Sequence, residues 1–401
     1  MLACDIYLVI SVENFYWALY EHMLGPSRID CWYYFPFGTT QNLSTVGPFQ
    51  DVFKPHHVLF HFDQEPLWQN NLGHAYEINS MTAHSTKILK ILANSEHSEI
   101  KKRLCHERAM VDWYFFYHGF AAHDWFRDAQ YLGDCIKPNK VFVSLNHLTQ
   151  HTRNYRLALS ARLMAKGLDN HGSISLHATR NQCQHEISRP DNNLTNTSRY
   201  LINQQLIEKS MPLPRILDRH KVDGSFSARF GREEYHLWQK SFLHVVNETV
   251  FYDKKLHLTE KIFKPIVSMR PFILVAAPGN LRYLKSYGFR TFDRWIDETY
   301  DSIEDNDSRL DAITDQIQIL CSMHPHALHD MLNDMHDTLI YNKQHFFTNF
   351  KKIIIDELVD NFDTCVRIWN NGRVDPDRRI LCNIDMGKIK NVLAGTVIVG
   401  T

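Results

Sequence analysis

Long apolar runs, an excess of charge of one sign and paired cysteines are all missing from this chain. The N-terminal apolar segment Asp5-Ile6-Tyr7-Leu8-Val9-Ile10-Ser11-Val12 lacks a basic leader and stops at Glu13 and Asn14, far short of the ~20 apolar residues that span a bilayer. No other segment approaches that length, so no transmembrane helix is expected; a peripheral membrane contact stays open. Lysine and arginine total 44 against 45 aspartates and glutamates, a formal net charge of -1. That balance gives no global pull toward nucleic acid or anionic lipid, and nucleic acid is not an expected partner. The eight cysteines are scattered and include no Cys-x-x-Cys pair, which argues against a disulfide framework or a standard zinc site and fits a reducing, cytoplasmic compartment. Asn42, Asn193 and Asn247 open glycosylation-type tripeptides, but without a secretory context they carry no weight. No internal repeat or low-complexity segment is evident.

What is present is the patterning of an α/β protein. The chain has 401 residues, 44% of them hydrophobic, enough for one large core or two of ordinary domain size. Val58-Leu59-Phe60-His61-Phe62 reads as a strand running into Asp63-Gln64-Glu65-Pro66, and ligands of open α/β sheets bind beyond such strand ends. Ile88 to Ala93 repeats the arrangement, with Ser95 placed to cap a helix from His97 to Leu104, and Val111 to Gly119 is a third such run. Its aromatic stretch Trp113 to Tyr117 has no interleaved basic residues and reads as buried strand rather than as a base-stacking platform. A polar turn at Lys137-Pro138-Asn139-Lys140 separates residues 1–138 from a second α/β region, 139–330, and a helical segment and tail occupies 331–401.

In the second region Val141 to Leu145 is a strand, and Tyr155 to Gly167 a helix with Leu159, Leu163 and Met164 on one face. Arg153 and Arg156 stand where the intervening loop enters that helix, and guanidinium groups there can fork onto a diphosphate. Residues 179–231 are polar and weakly periodic and read as loop, with short helical pieces near Leu201 to Lys209. Ser241 to Val246 and Phe272 to Val275 read as strands, Pro278-Gly279 as a turn, Leu281 to Tyr287 as a helix closed by Gly288, and Phe289 to Phe292 as a further strand. Leu332, Met335, Leu339, Phe346, Phe350, Ile354 and Leu358 fall near one stripe of a long C-terminal helix or helix pair.

The segment richest in chemistry is Thr259-Glu260-Lys261. Thr259 suits a helix N-cap, which puts Glu260 and Lys261 in the first turn. Glu260 suits the positive helix end; Lys261 does not, and either finds an anion such as a phosphate or points into solvent. His324-x-His326-x-x-His329 is the tightest group among the 24 histidines, but Pro325 interrupts it and no acid or cysteine has ligand spacing, so no metal site is expected.

Together these residues form a recognisable pattern. A strand ends in Asn247-Glu248, a short loop leads to Thr259-Glu260-Lys261, a strand and turn follow from Phe272 to Gly279, and Arg156 heads a helix with Leu163 seven residues on. The region from about Val141 to Phe292 resembles the donor-binding half of the α-1,3-fucosyltransferase-like glycosyltransferases, and the whole chain resembles virus and phage proteins related to them. The resemblance implies a GT-B-like α/β architecture: two Rossmann-like domains facing across a cleft, an acceptor-side domain at 1–138 and a nucleotide-sugar-binding domain at 139–330, with the helical C-terminal segment. It implies that Arg156 and Lys261 contact the diphosphate, Glu260 the ribose and Glu248 the transferred sugar, with Arg153 and the Gly279 turn alongside, and that Glu65 is the general base. His257 stands where members often carry an aromatic residue and Pro265 falls inside the expected helix, where it should kink or shorten it. Base and sugar identity therefore stay open among fucose, another GDP-linked sugar and other nucleotide sugars.

Inverting transfer needs a base for the acceptor hydroxyl and cations for the departing diphosphate. Glu65 fits the first role, with Asp63 as an alternative, and Arg156 and Lys261 fit the second. No Asp-x-Asp ends a strand convincingly, Asp305-Asn306-Asp307 lying in an acidic loop, so a metal-independent reaction without a cofactor is expected. The expected partners are a nucleotide-sugar, GDP-fucose among them, and a glycan or lipopolysaccharide-type acceptor held by loops such as Phe35 to Pro55 and Trp68 to Ala83. The compartment is the cytoplasm, that of the host if the chain is viral. Two rival classes remain: a catalytically silent sugar-binding or virion-associated protein, and another phosphate-ester enzyme.

Overall fold

The structure, a computed structural model, describes residues 8–11, 31–34, 58–63, 66–67, 89–107, 110–114, 116–126, 129, 137–209, 212–217, 237–371 and 396–399. The chain divides into two compact units, one of residues 1–124 with 349–401, the other of residues 125–348. Both rest on parallel sheets with helices between the strands, an α/β construction compatible with Rossmann-like domains. Among the described residues no helix is long and apolar enough to cross a membrane.

The first unit begins with β1 (Leu8–Ser11) and then a four-stranded sheet of β2 (Cys31–Tyr34), β3 (Val58–Asp63), β4 (Leu89–Asn94) and β5 (Val111–Tyr114), in that spatial order and all parallel. The helix after β4, α1 (Glu99–Glu107), starts later than expected, because Ser98 rather than Ser95 accepts the first-turn hydrogen bond, from Lys101 N at 3.1 Å. Ser95 instead accepts from Tyr117 N at 3.0 Å, at the start of α2 (Tyr117–Trp125). The aromatic run therefore splits: Trp113 and Tyr114 are strand, whereas Tyr117 to Gly119 are helix.

The second unit is built on β6 (Lys140–Asn146), β7 (Ser173–Leu176), β8 (Ser241–Asn247) and β9 (Phe272–Val275), in spatial order β7-β6-β8-β9 and again all parallel. Every residue of β8 is buried, as expected of a central parallel strand covered on both faces. Between β6 and β7 runs α3 (Tyr155–Ala165), whose residues 155–164 are all buried, so the helix hides its whole circumference rather than one stripe. Gly167 follows it at φ 69°. The stretch read from the sequence as loop contains α4 (Arg180–Ser188) and α5 (Asn196–Ile202), the latter passing into a π turn at Asn203–Glu208. Thr179 and Gln182 close a reciprocal capping box on α4, local chemistry that outweighs its weak periodicity.

After β8, a 3-10 turn at Glu260–Ile262 leads into the five-residue α6 (Phe263–Val267); with Pro265 inside it, the helix is as short as expected. Next comes α7 (Asn280–Ser286), ended by Gly288 at φ 88°. No strand forms over 289–292: Arg290 N donates to Asn342 Oδ1 at 2.8 Å and Phe292 N to Glu298 Oε1 at 2.7 Å, so side chains take the bonds a neighbouring strand would have made. Then follow α8 (Asn306–Ser322), α9 (Pro325–Asp334) and α10 (His336–His345). Asp305-Asn306-Asp307 opens α8: Asp305 caps Ser308 N at 2.8 Å and Asp307 pairs with buried Arg162 at 2.9 Å.

The chain then returns to the first unit through α11 (Lys351–Asn371), and β10 (Thr396–Val399) pairs in parallel with β1. The docking of α11 on β5 is specific, since Trp113 Nε1 donates to Leu358 O at 3.1 Å and the Trp113 ring lies 5.0 Å from that of Phe362. The units thus change at 124/125 and 348/349, whereas the sequence suggested cuts at 138/139 and 330/331. All seven residues of the expected C-terminal stripe are buried, but on more than one helix.

Candidate functional site

In the sheet of the second unit the order of strand addition reverses between β6 and β8: from β6 the chain crosses to β7 on one side, then to β8 on the other. Such a switch point leaves a crevice beyond the carboxyl ends of the two strands. The loops entering it here are 147–154 after β6 and 248–259 after β8.

Arg156, the second residue of α3, lies at this point and is 4% exposed. Its guanidinium donates to three carbonyl oxygens, Leu148 O (2.8 Å), Asn247 O (2.8 Å) and Glu248 O (3.0 Å), and to the Tyr155 hydroxyl at 3.3 Å. Among the described residues no carboxylate pairs with it. Tyr155 in turn donates to Glu248 O and stacks on Phe251, with ring centroids 4.4 Å apart. Burial pushes the Tyr155 phenol up, so it stays a donor.

Glu248 is fully buried and both its carboxylate oxygens are occupied: Oε1 accepts from Thr259 N at 3.1 Å, and Oε2 from Thr259 Oγ1 at 2.6 Å and Thr249 N at 3.2 Å. This carboxylate ties the end of β8 to the start of the next helical turn. Thr259 caps that turn as the sequence suggested, accepting from Lys261 N at 3.4 Å. Lys261 Nζ reaches Thr259 Oγ1 (3.0 Å), Thr249 Oγ1 (3.2 Å) and Glu260 Oε1 (3.4 Å). With side chains 30% and 20% exposed, Lys261 and Glu260 keep access to solvent that Arg156 and Glu248 lack.

Arg156, Glu248 and Lys261 are therefore gathered around the switch point, and Arg153, half-buried, closes the turn at His151–Arg153 that enters α3. That turn is strained. His151 has φ 56°, a left-handed conformation that costs a non-glycine residue about 1–2 kcal/mol. It is held by buried Glu186, which accepts from His151 N at 3.2 Å and from Asn154 Nδ2 at 3.3 Å, and by Arg189, whose guanidinium meets His151 Nδ1. Tyr252 donates to Asn154 Oδ1, joining the two loops. Glu186 and Tyr252 were not legible in the sequence, because their partners are far away along the chain.

The last residues of β6 and β8, Asn146 and Asn247, are both buried, and both carboxamides donate to Ser144 Oγ, at 3.2 and 3.0 Å. Their Oδ1 atoms have no hydrogen-bond partner among the described residues. Two adjacent, unspent buried acceptors are uncommon in a folded interior.

Gly279 lies one strand further on, beyond β9, at φ 84°. Its N–H donates to Asp301 O at 2.8 Å, and the Asp301 carboxylate accepts from Leu281 N (2.9 Å) and Arg282 N (3.1 Å). The first turn of α7 is thus capped by an acid from its own unit. Glu65 and the expected acceptor loops, Phe35 to Pro55 and Trp68 to Ala83, lie outside the described residues. Next to Glu65, Leu67 N donates to the buried Glu96 carboxylate at 2.6 Å, and Asp63 ends β3. In the histidine cluster, His324 Nδ1 accepts from His326 N at 3.3 Å and caps α9. Among the described residues no three His, Cys, Asp or Glu side chains are arranged to hold a metal ion.

Compared with protein-family models, with curated proteins and with solved structures, the chain matches none.

A buried guanidinium whose partners are neutral oxygens keeps its net positive charge, although the carbonyl dipoles it meets offset part of its field. Here Arg156 and the partly exposed ammonium of Lys261 both lie at the carboxyl end of β8. The arrangement is suited to an anion.

Proposed function

We propose that the chain is a glycosyltransferase that binds a nucleoside-diphosphate sugar at the carboxyl ends of β6 and β8 and transfers the sugar, with inversion and without a metal, to a glycan acceptor. The observation that carries this reading is the buried Arg156, without a carboxylate partner among the described residues, together with the partly exposed Lys261 at the switch point of a parallel sheet. Lys261 and Arg153 meet the diphosphate directly, and Arg156 holds the loop and strand ends in place and adds its field. Glu260, beside Lys261, takes the ribose hydroxyls. Glu248 acts from behind, fixing Thr259 and so the backbone that presents Lys261. Glu65, in the other unit, is the base in a two-domain GT-B plan, with fucose as the transferred sugar.

Calorimetric titration with GDP, UDP and GDP-fucose tests the donor half of this reading. A GDP-sugar is expected to bind, and Lys261→Met to weaken it about tenfold to a hundredfold, the worth of one charge-assisted hydrogen bond of about 1.5–3 kcal/mol. Glu65→Gln is expected to abolish transfer while sparing donor affinity. Failure to bind any nucleotide sinks the enzyme reading. Retained turnover in Glu65→Gln removes Glu65 from the base role.

The saturation of Glu248 and the near-saturation of Arg156 favour a second reading, a nucleotide-sugar-binding protein without turnover. It differs in one outcome: tight donor binding with no nucleoside diphosphate released in the presence of any acceptor.

A further inference from the structure

At the opposite, amino-terminal end of the same sheet lies a cavity of about 360 Å³. It opens where β6 and β8 begin, a strand length of seven residues, or about 20 Å, from the crevice described above. No residue is shared between the two. The volume falls within the range of small-molecule sites, about 300–1,000 Å³.

The cavity wall and its rim differ in chemistry. Phe242, Cys321 and Leu328, all buried, form an apolar wall with Met323. Burial pushes the Cys321 thiol up to about 11, so it serves as a small apolar surface rather than as a nucleophile. Around this wall stand Lys137, Lys140, His171 and His329, and no aspartate or glutamate is among the described residues lining the cavity. Both lysines are exposed, neither pairs with a carboxylate among the described residues, and Lys140 Nζ approaches Asn170 O at 3.5 Å. The cavity therefore combines an apolar body with a one-signed cationic rim.

We propose that this cavity is a second ligand site, for a small organic monocarboxylate with an apolar or aromatic body. The body lies against Phe242, Leu328 and Met323. The carboxylate meets the ammonium groups of Lys137 and Lys140. A neutral molecule of the same shape gains the burial but not the charge pairing, and a dication is repelled by the rim.

Calorimetry on the full chain with 4-phenylbutyrate and with its neutral analogue 4-phenylbutanol tests the assignment. The acid is expected to bind at least about tenfold more tightly than the alcohol. In the double variant Lys137→Gln/Lys140→Gln the acid should fall to the affinity of the alcohol, which itself should not change. Leu328→Trp, which fills the cavity, should remove both. Equal binding of acid and alcohol, no binding of the acid at millimolar concentration, or undiminished acid binding in the double variant overturns the proposal. The two lysines are exposed, so the double variant remains informative even if Leu328→Trp fails to fold.

Discussion

Replacing Arg156 by methionine keeps the volume of the side chain and withdraws its donors from Leu148 O, Asn247 O, Glu248 O and the Tyr155 hydroxyl. A hydrogen bond from a charged group contributes about 1.5–3 kcal/mol, and a buried acceptor left unpaired costs about 1–3 kcal/mol. The contributions are not additive, and removing a buried charge also recovers part of its desolvation cost. The net loss is therefore about 3 kcal/mol, the cost of leaving one or two of those buried oxygens without a donor. Arg156→Lys keeps the charge but reaches fewer of the four acceptors, so it should lose roughly half as much. Hydrogen exchange at Val245 to Glu248 reads this directly, since Glu248 N donates to Val275 O at 3.0 Å as part of the β8–β9 pairing. Protection there should fall about a hundredfold or more in Arg156→Met, because each 1.4 kcal/mol is about tenfold. A fall of less than tenfold would refute the claim that this guanidinium holds the strand ends together.

Three other outcomes follow from particular contacts. Gly279→Ala should cost about 1–2 kcal/mol through backbone strain alone, because an added Cβ meets nothing closer than 3.5 Å but φ is 84°; a urea midpoint measures it. Gly172→Ala should cost about 1–3 kcal/mol by overpacking, since its Cβ would lie 2.3 Å from the buried Phe142 ring, and combining it with Phe142→Leu should recover part of the loss. Burial lowers the pKa of His244 to about 3, outweighing the raising effect of its bond to Trp238 O. The unfolded chain therefore takes up a proton below pH 6.5 that the native imidazole refuses until about pH 3, so stability falls as pH drops through that window, by about 2 kcal/mol at pH 5. Urea unfolding at pH 5 and 7 should show this slope, and His244→Asn should flatten it; an unchanged slope removes His244 as the cause.

The site was partly legible because some of its chemistry is local. Thr259 caps the turn that contains Lys261 two residues on, and a side chain that bonds its own near backbone leaves a mark in the sequence. The same holds for the capping box of Thr179 and Gln182, a signature the weak periodicity of that stretch concealed. Arg156 was legible as a charge at a helix start, but two of its four partners lie 91 and 92 residues away. Nothing in its neighbourhood told a guanidinium that forks onto a diphosphate from one that wraps carbonyl oxygens. Glu186, which holds the strained His151, lies 35 residues from it in a stretch without a clear period.

By itself the sequence determined the α/β character, the position of most strands, the Thr259 cap and the glycines that stop helices, because these follow from side-chain periodicity and short-range hydrogen bonding. Tertiary structure decided the order β7-β6-β8-β9 and hence the switch point, the return of α11 to β5, and the division of labour in which Arg156 and Glu248 are buried while Glu260 and Lys261 face solvent. Those properties depend on which backbone carbonyls and amides meet across long sequence separations. The residues in a charged motif are written locally, but what satisfies each charge is set by the fold around it.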